Sequence, residues 1–426
     1  MCASQDEGVT QLARRLTTTD AVVVGLGSMI GAGVFAAFAP AARAVLPVGT
    51  GWALLVALGL AAAVAYANAT SSAQLAAQYP VAGGTYVYGR ERLGPWWGFV
   101  AGWGFVIGKT ASCAAMALTF AAYAMPDGAP TVVRRGVAAL AVVALTAVNC
   151  RGVTRTARVA RWLVAFVLLA LAVTLTVVWA GRDLVVEVAS TGSAIGVLGV
   201  LQAAGLLFFA FAGYARVATL GEEVRRPRVA IPRAISVALG ITVVVYAAVA
   251  VTLLVVLGLD GVAASGAPLA AAADGLWVAP LVRVAAAVAS LGALLALVAG
   301  VGRTALAMAR EGDLPRPLAA VHERFRVPHV AEVTLAAVVV ALVATVDLRG
   351  AIGFSSFGVL VYYLVANLSA WTQTGGDRRY PRALQVFGVL GCAALAVTLP
   401  WTSVVGGAGV LAAGVALRAL RGRRRG

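Results

Sequence analysis

GLGSMIGAGVF, residues 25–35, lies inside the first long apolar run and places glycines at 25, 27, 31 and 33. Glycine costs about 1 kcal/mol relative to alanine at each helix-interior position, so a helix entering this stretch is expected to break within it. In a bilayer, bared backbone is tolerated only where protein or a water-filled cavity satisfies it, which leaves the same groups open to a ligand. The N–H groups of a half-helix starting near residues 31–33 suit a carboxylate, because they point outward and the helix dipole favours negative charge there. The carbonyls near Ser28 and Met29 suit an ammonium. An anion seat beside a cation seat fits a free amino acid. The same glycines also suit close packing against another helix, and the stretch alone leaves both readings standing.

The 426 residues are 61% hydrophobic and 12% charged, about half the charge of a soluble domain. Apolar runs near or above the ~20 residues that cross a bilayer recur throughout, predicting an all-α membrane protein with 12 transmembrane helices in one unit. The expected spans are 20–46, 50–74, 96–123, 132–150, 159–180, 195–224, 231–258, 279–309, 331–345, 351–371, 383–399 and 402–420. Residues 1–19 read as a polar cytoplasmic segment without a cleavable leader, and 421–426 as a basic cytoplasmic tail. Residues 79–98, with Pro, paired Gly and aromatics, read as an inner re-entrant or interfacial segment.

The net charge of +16 is topological, and nucleic acid is not an expected partner. Twenty-four arginines fall on the side of the predicted spans shared with the termini, against five on the other (Arg43, Arg134, Arg135, Arg182 and Arg349). That bias places both termini in the cytoplasm and the chain in the cell membrane, with lipid around it. Cys2, Cys113, Cys150 and Cys392 are scattered and imply neither metal nor disulfide. His322 and His329 sit in a basic, Pro-containing loop where solvent exposure is expected; no metal and no cofactor are predicted.

A second interruption, FFAFAGYA at 208–215, alternates small residues with aromatics in the sixth span. Interrupted helices that come first in each of two five-helix sets are the arrangement of an inverted repeat, here about 20–180 and 195–371 in a core of 20–371. The breaks then meet near the midplane. Residues 372–420 supply two additional helices.

Four stretches in register resemble the amino acid–polyamine–organocation (APC) superfamily of permeases. They are GLGSMIGAGVF, YPVAGGTYVY, FFAFAGYARVATLGEEVRRPRVAIPRAI and GRTALAMAREGDLPRPLAAVHERFRVP. The resemblance implies the LeuT-type APC fold, a five-plus-five inverted repeat with broken helices 1 and 6, working by alternating access. It also implies a substrate site at Ser28, Met29, Ile30, Gly31, Ala32 and Gly33, facing Phe208, Phe209, Ala210, Phe211, Ala212 and Gly213. The carboxylate would meet N–H groups around Ala32 and Gly33. The ammonium would meet carbonyls around Met29 and from 209 to 212, with Phe209 at the aromatic gate. Phe208 and Phe211 share a helix face that Phe209 does not, so not all three rings can line one cavity.

Two departures from the family matter. Many relatives carry an acid where this chain has Ala215, and some proton-coupled ones carry a lysine in the fifth span, near Val167 here. The only lysine of this chain is Lys109, midway along the third span. An ionisable group at a helix centre costs roughly 2.5–3.5 kcal/mol on the insertion scale, so it should face the bundle interior. Lysine releases its proton when desolvated, whereas arginine does not. Lys109 is therefore the candidate coupling residue; the alternative is a brace on carbonyls of helix 1 or 8, and its nitrogen is expected near the helix 1 break. Ser290 is the one hydroxyl of mid-helix 8 and a candidate cavity residue, too few oxygens for sodium.

The expected function is secondary active amino acid transport, with protons or exchange as the coupling. No acidic residue lies at mid-depth, which favours neutral amino acids; a cationic amino acid or polyamine antiporter is the alternative. A membrane-embedded enzyme would show convergent catalytic groups such as GxSxG or HExxH, a channel a charged ring or carbonyl filter, and a primary pump a Walker A loop. None occurs. Replacing Gly31 or Gly33 by Leu is expected to abolish binding at modest cost in stability, since Leu propagates a helix better than Gly.

Overall fold

Alanine, leucine and valine fill the apolar runs, and in a bilayer core each backbone N–H must find its carbonyl within its own segment, which selects helices. The computed structural model is helical accordingly, and describes residues 16–80, 83–126, 128–152, 157–182, 196–220 and 223–423. Its helices are α1 (Thr18–Met29), α2 (Gly33–Ala36), α3 (Phe38–Val45), α4 (Gly51–Gln78), α5 (Thr85–Leu93), α6 (Pro95–Ala124), α7 (Thr131–Cys150), α8 (Ala157–Gly181) and α9 (Val197–Phe211). They continue with α10 (Ala215–Ala218), α11 (Pro227–Ala264), α12 (Pro268–Ala272), α13 (Ala279–Arg310), α14 (His329–Thr345), α15 (Leu348–Trp371), α16 (Arg382–Thr398) and α17 (Trp401–Arg423). No named β-strand occurs among the described residues. Ten helical stretches among them are long and apolar enough to cross a membrane, and α14 and α16 are shorter apolar helices. Most of the predicted N-terminal segment, the loop at 183–195 and the last three tail residues lie outside the described residues.

The first apolar run is one path in three pieces. A capping box starts α1: Thr17 N–H donates to the Asp20 carboxylate at 2.9 Å, and Asp20 N–H donates to Thr17 Oγ1 at 3.2 Å. Helix α1 stops at Met29, residues 30–32 turn away, and α2 restarts at Gly33. In the sixth span α9 stops at Phe211, a 3-10 turn covers Ala212–Tyr214, and α10 restarts at Ala215. The seventh span ends in a kink at Gly258, whose φ of 66° lies in the left-handed region open to glycine.

Helix α6 runs through the interior, packed along α13 and α15. Glycines set its contact with α15: a Cβ on Gly358 would lie 2.6 Å from the Gly104 carbonyl oxygen and 2.8 Å from Gly108 Cα. Such close backbone approach fixes the rotation of α6 and with it the direction of the next residue, Lys109.

Candidate substrate site

The two breaks lie against each other. A Cβ on Gly213 would stand 2.3 Å from both the carbonyl carbon and oxygen of Ser28 and 2.6 Å from Met29 N, so only glycine admits this contact. A Cβ on Gly33 would meet Ala210 Cα at 2.7 Å and the Tyr246 hydroxyl at 3.0 Å, and one on Gly31 would meet Ala293 Cβ of α13 at 2.8 Å. The structure thus brings the candidate residues 28–33 together with 208–213. Met29, Ile30, Ala32, Phe208, Phe209, Ala210, Phe211 and Ala212 are all buried. The small stability cost expected for Gly33→Leu does not survive this geometry, because the added side chain has backbone in its way whatever its helix propensity.

Backbone and side-chain groups at the breaks divide clearly. No side chain caps the N–H end of α2 at Ala32. The carbonyls, by contrast, meet donors from other helices. Tyr246 of α11 directs its hydroxyl at the Met29 carbonyl and at the Ala210 carbonyl, 3.1 Å away. Lys109 Nζ donates to the Ala212 carbonyl at 3.2 Å, and the Tyr363 hydroxyl of α15 donates to the same oxygen at 3.3 Å. Lys109 therefore faces inward, but its hydrogen bond goes to the break of the sixth span at Ala212 rather than to the first span or to α13, the eighth. The physical reason is the α6–α15 glycine contact, which turns position 109 toward the Ala212–Tyr214 turn.

Phe208 and Phe211 pack against tyrosines of two different helices, α15 and α11. Phe208 packs edge-on against Tyr363 with centroids 5.8 Å apart, Phe211 lies 5.0 Å from the Tyr246 ring, and Phe209 is buried. Ser290 is fully buried on α13 with its hydroxyl unpartnered among the described residues, and Ser28 turns its hydroxyl back to the Val24 carbonyl at 2.8 Å. His322 and His329 are half-buried rather than exposed, with ring centroids 5.3 Å apart.

Tyr246 and Tyr363 were not singled out from the sequence. Their signal was a hydroxyl in an apolar run, which needs a buried partner. Nor was the amide seam between α4 and α15, where Asn367 Nδ2 donates to Asn68 Oδ1 at 2.6 Å and Ser71 Oγ donates to Asn367 Oδ1 at 2.7 Å.

Away from the breaks, ion pairs join helix ends. Asp313, after α13, holds Arg90 of α5 at 3.2 Å and Arg418 of α17 at 3.0 Å, and accepts from the Tyr86 hydroxyl at 2.9 Å. Burial and the Asp313 carboxylate push the Tyr86 phenol above its ordinary range, which keeps it a donor. Arg161 of α8 pairs with the Asp20 carboxylate. This latch and pair tie the ends of α1, α5, α8, α13 and α17 without entering the breaks.

The family model described as amino acid permease matches residues 16–418, nearly the whole chain. The chain belongs to this amino acid permease family. It is a transporter rather than an enzyme. An uncharacterised transporter of Mycobacterium tuberculosis strain H37Rv is 56% identical over 414 residues, covering 96% of this chain and 92% of that one. The methylthioribose transporter of Bacillus subtilis is 29% identical over 385 residues, 85% of this chain and 79% of its own length. The chloroplastic cationic amino acid transporter 7 of Arabidopsis thaliana is 28% identical over 386 residues, 84% of this chain and 65% of that one. Within the transporter, the breaks occupy the stretches that the superfamily motifs mark.

Proposed function

We propose that this chain is a secondary active transporter of neutral amino acids, working by alternating access in the cell membrane with both termini cytoplasmic. The reading takes all twelve apolar helical paths as spanning, counting the 17-residue helices α14 and α16, since roughly 17 residues is the lower limit for crossing. The first ten form a five-plus-five inverted repeat with the breaks as its paired binding segments, and α16 and α17 are the two additional helices.

One observation carries it: two interrupted helices abut through Gly213 and Gly33, with uncapped N–H groups at Ala32 beside a cluster of carbonyls from Met29, Ala210 and Ala212. Donors for a carboxylate next to acceptors for an ammonium are what an α-amino acid needs. The side chain then meets those of Phe208, Phe209 and Phe211 that face the cavity, together with Ser290 and the small residues of 28–33. No carboxylate of the described residues pairs with Lys109 or joins the hydrogen bonds at these carbonyls, and that favours a neutral side chain. The Arabidopsis relative, a cationic amino acid transporter, favours a second reading, a cationic amino acid; the ammonium of Lys109 on Ala212 opposes it. Lys109 is the coupling residue of this proposal, by proton release or by supporting exchange. Uptake of a panel of the twenty labelled amino acids into proteoliposomes, with and without a pH gradient, tests it. Accumulation of neutral members is the expected result, and no uptake of any member refutes it.

A further inference from the structure

A buried ammonium is ordinarily paired with a carboxylate or surrounded by acceptors. Lys109 has neither arrangement among the described residues. It is 6% exposed, its one hydrogen bond goes to the Ala212 carbonyl, and no ion pair reaches it. That carbonyl belongs to the 3-10 turn that interrupts the sixth span. With Tyr363 as second donor, its two lone pairs are filled. Tyr246, with a single O–H, reaches the carbonyls of Met29 and Ala210 and donates to one of them at a time. Every carbonyl of this cluster thus lies within reach of a side-chain donor of the chain itself, and the donor on Ala212 is chemically the same group as the amine of an amino acid.

We propose that Lys109 is a tethered stand-in for the substrate ammonium, holding Ala212 in the empty carrier and yielding that oxygen when an amino acid binds. The inference rests on the transport reading above. Two ammonium groups cannot share one carbonyl oxygen that already serves a tyrosine, because the acceptor is saturated and like charges repel in a medium of low dielectric. Binding is therefore a competition, and the affinity measured for substrate is the intrinsic one reduced by the fraction of carriers in which Lys109 has let go. The tether also lets the empty carrier keep its breaks joined while it reorients. Substrates must bring a primary ammonium to replace the one displaced.

The test uses the full-length protein and, as probe, the labelled amino acid that wild-type proteoliposomes take up fastest. Lys109→Met removes the amine and keeps an unbranched chain; Lys109→Gln keeps a neutral donor and serves where the Met variant fails to fold. The expected result is a Kd at least tenfold lower than wild type, net uptake slowed, exchange of internal for external probe retained, and methylammonium competing with the probe at least tenfold better than in wild type. A brace gives the opposite: Kd unchanged or raised, net uptake and exchange falling together, and no gain in methylammonium competition. That outcome overturns the stand-in and leaves the transport reading intact. Absence of uptake of every amino acid by the wild type refutes the transport reading, and the stand-in with it.

Discussion

Replacing Gly213 by alanine tests whether the two breaks bear on each other as closely as the structure places them. The backbone at Gly213 is not in the left-handed region, so alanine is conformationally allowed and the entire effect is steric. The new Cβ would lie 2.3 Å from the Ser28 carbonyl carbon and oxygen, against about 3.5 Å for an ordinary contact. Helix 1 must then retreat by about 1 Å. Overpacking of this kind costs about 1–3 kcal/mol, and the lower unfolded-chain entropy of alanine returns only about 0.4–1 kcal/mol, so Gly213→Ala is destabilising by about 1–2 kcal/mol. Gly240 in α11 has nothing within 4 Å of its Cβ position, and Gly240→Ala gains about 1 kcal/mol of helix propensity. Thermal unfolding in detergent should therefore rank Gly240→Ala above wild type and wild type above Gly213→Ala. Retreat of helix 1 also pulls the Met29 carbonyl from its place beside Ala210, so only Gly213→Ala should lose substrate uptake. Wild-type melting and uptake in Gly213→Ala would refute the close contact.

Gly33→Leu should lose uptake and also melt well below wild type, because Ala210 Cα stands 2.7 Å from the first added carbon; a melting temperature at or above wild type would contradict this. Tyr246→Phe leaves the Met29 and Ala210 carbonyls without their hydroxyl and should cost about 1–3 kcal/mol in a chemical unfolding titration, with helix 1 freed relative to helix 6. Asp313→Asn removes the carboxylate shared by Arg90 and Arg418; at a largely buried site the loss should reach about 3 kcal/mol. Protease cleavage near α17 should rise in that variant while the probe Kd stays unchanged, since the latch lies outside the breaks.

How far the sequence discloses this arrangement differs between backbone and side chains. The breaks at residues 30–32 and 212–214 are legible because glycine and small residues in an apolar run weaken a helix locally, and the defect is written in the same few residues that display it. The capping box at Thr17 and Asp20 is local for the same reason. Tyr246 is not legible as part of the site, because its partner Met29 is 217 positions away and nothing in the run around it distinguishes a site tyrosine from a packing one. Lys109 lies between these cases. Its rarity and its depth are properties of the sequence; its direction is not. Successive residues of a helix differ by about 100° in azimuth, so an error of one residue in the packed face of α6 carries position 109 from one neighbour to another. The face is set by Gly104 and Gly108 meeting Gly358 across α15, a contact between glycines that hydrophobic periodicity does not register. Once that contact is given, Lys109 must face the turn at Ala212, where the substrate ammonium is proposed to bind, and the one residue singled out for its charge becomes a competitor for the seat it was expected merely to support.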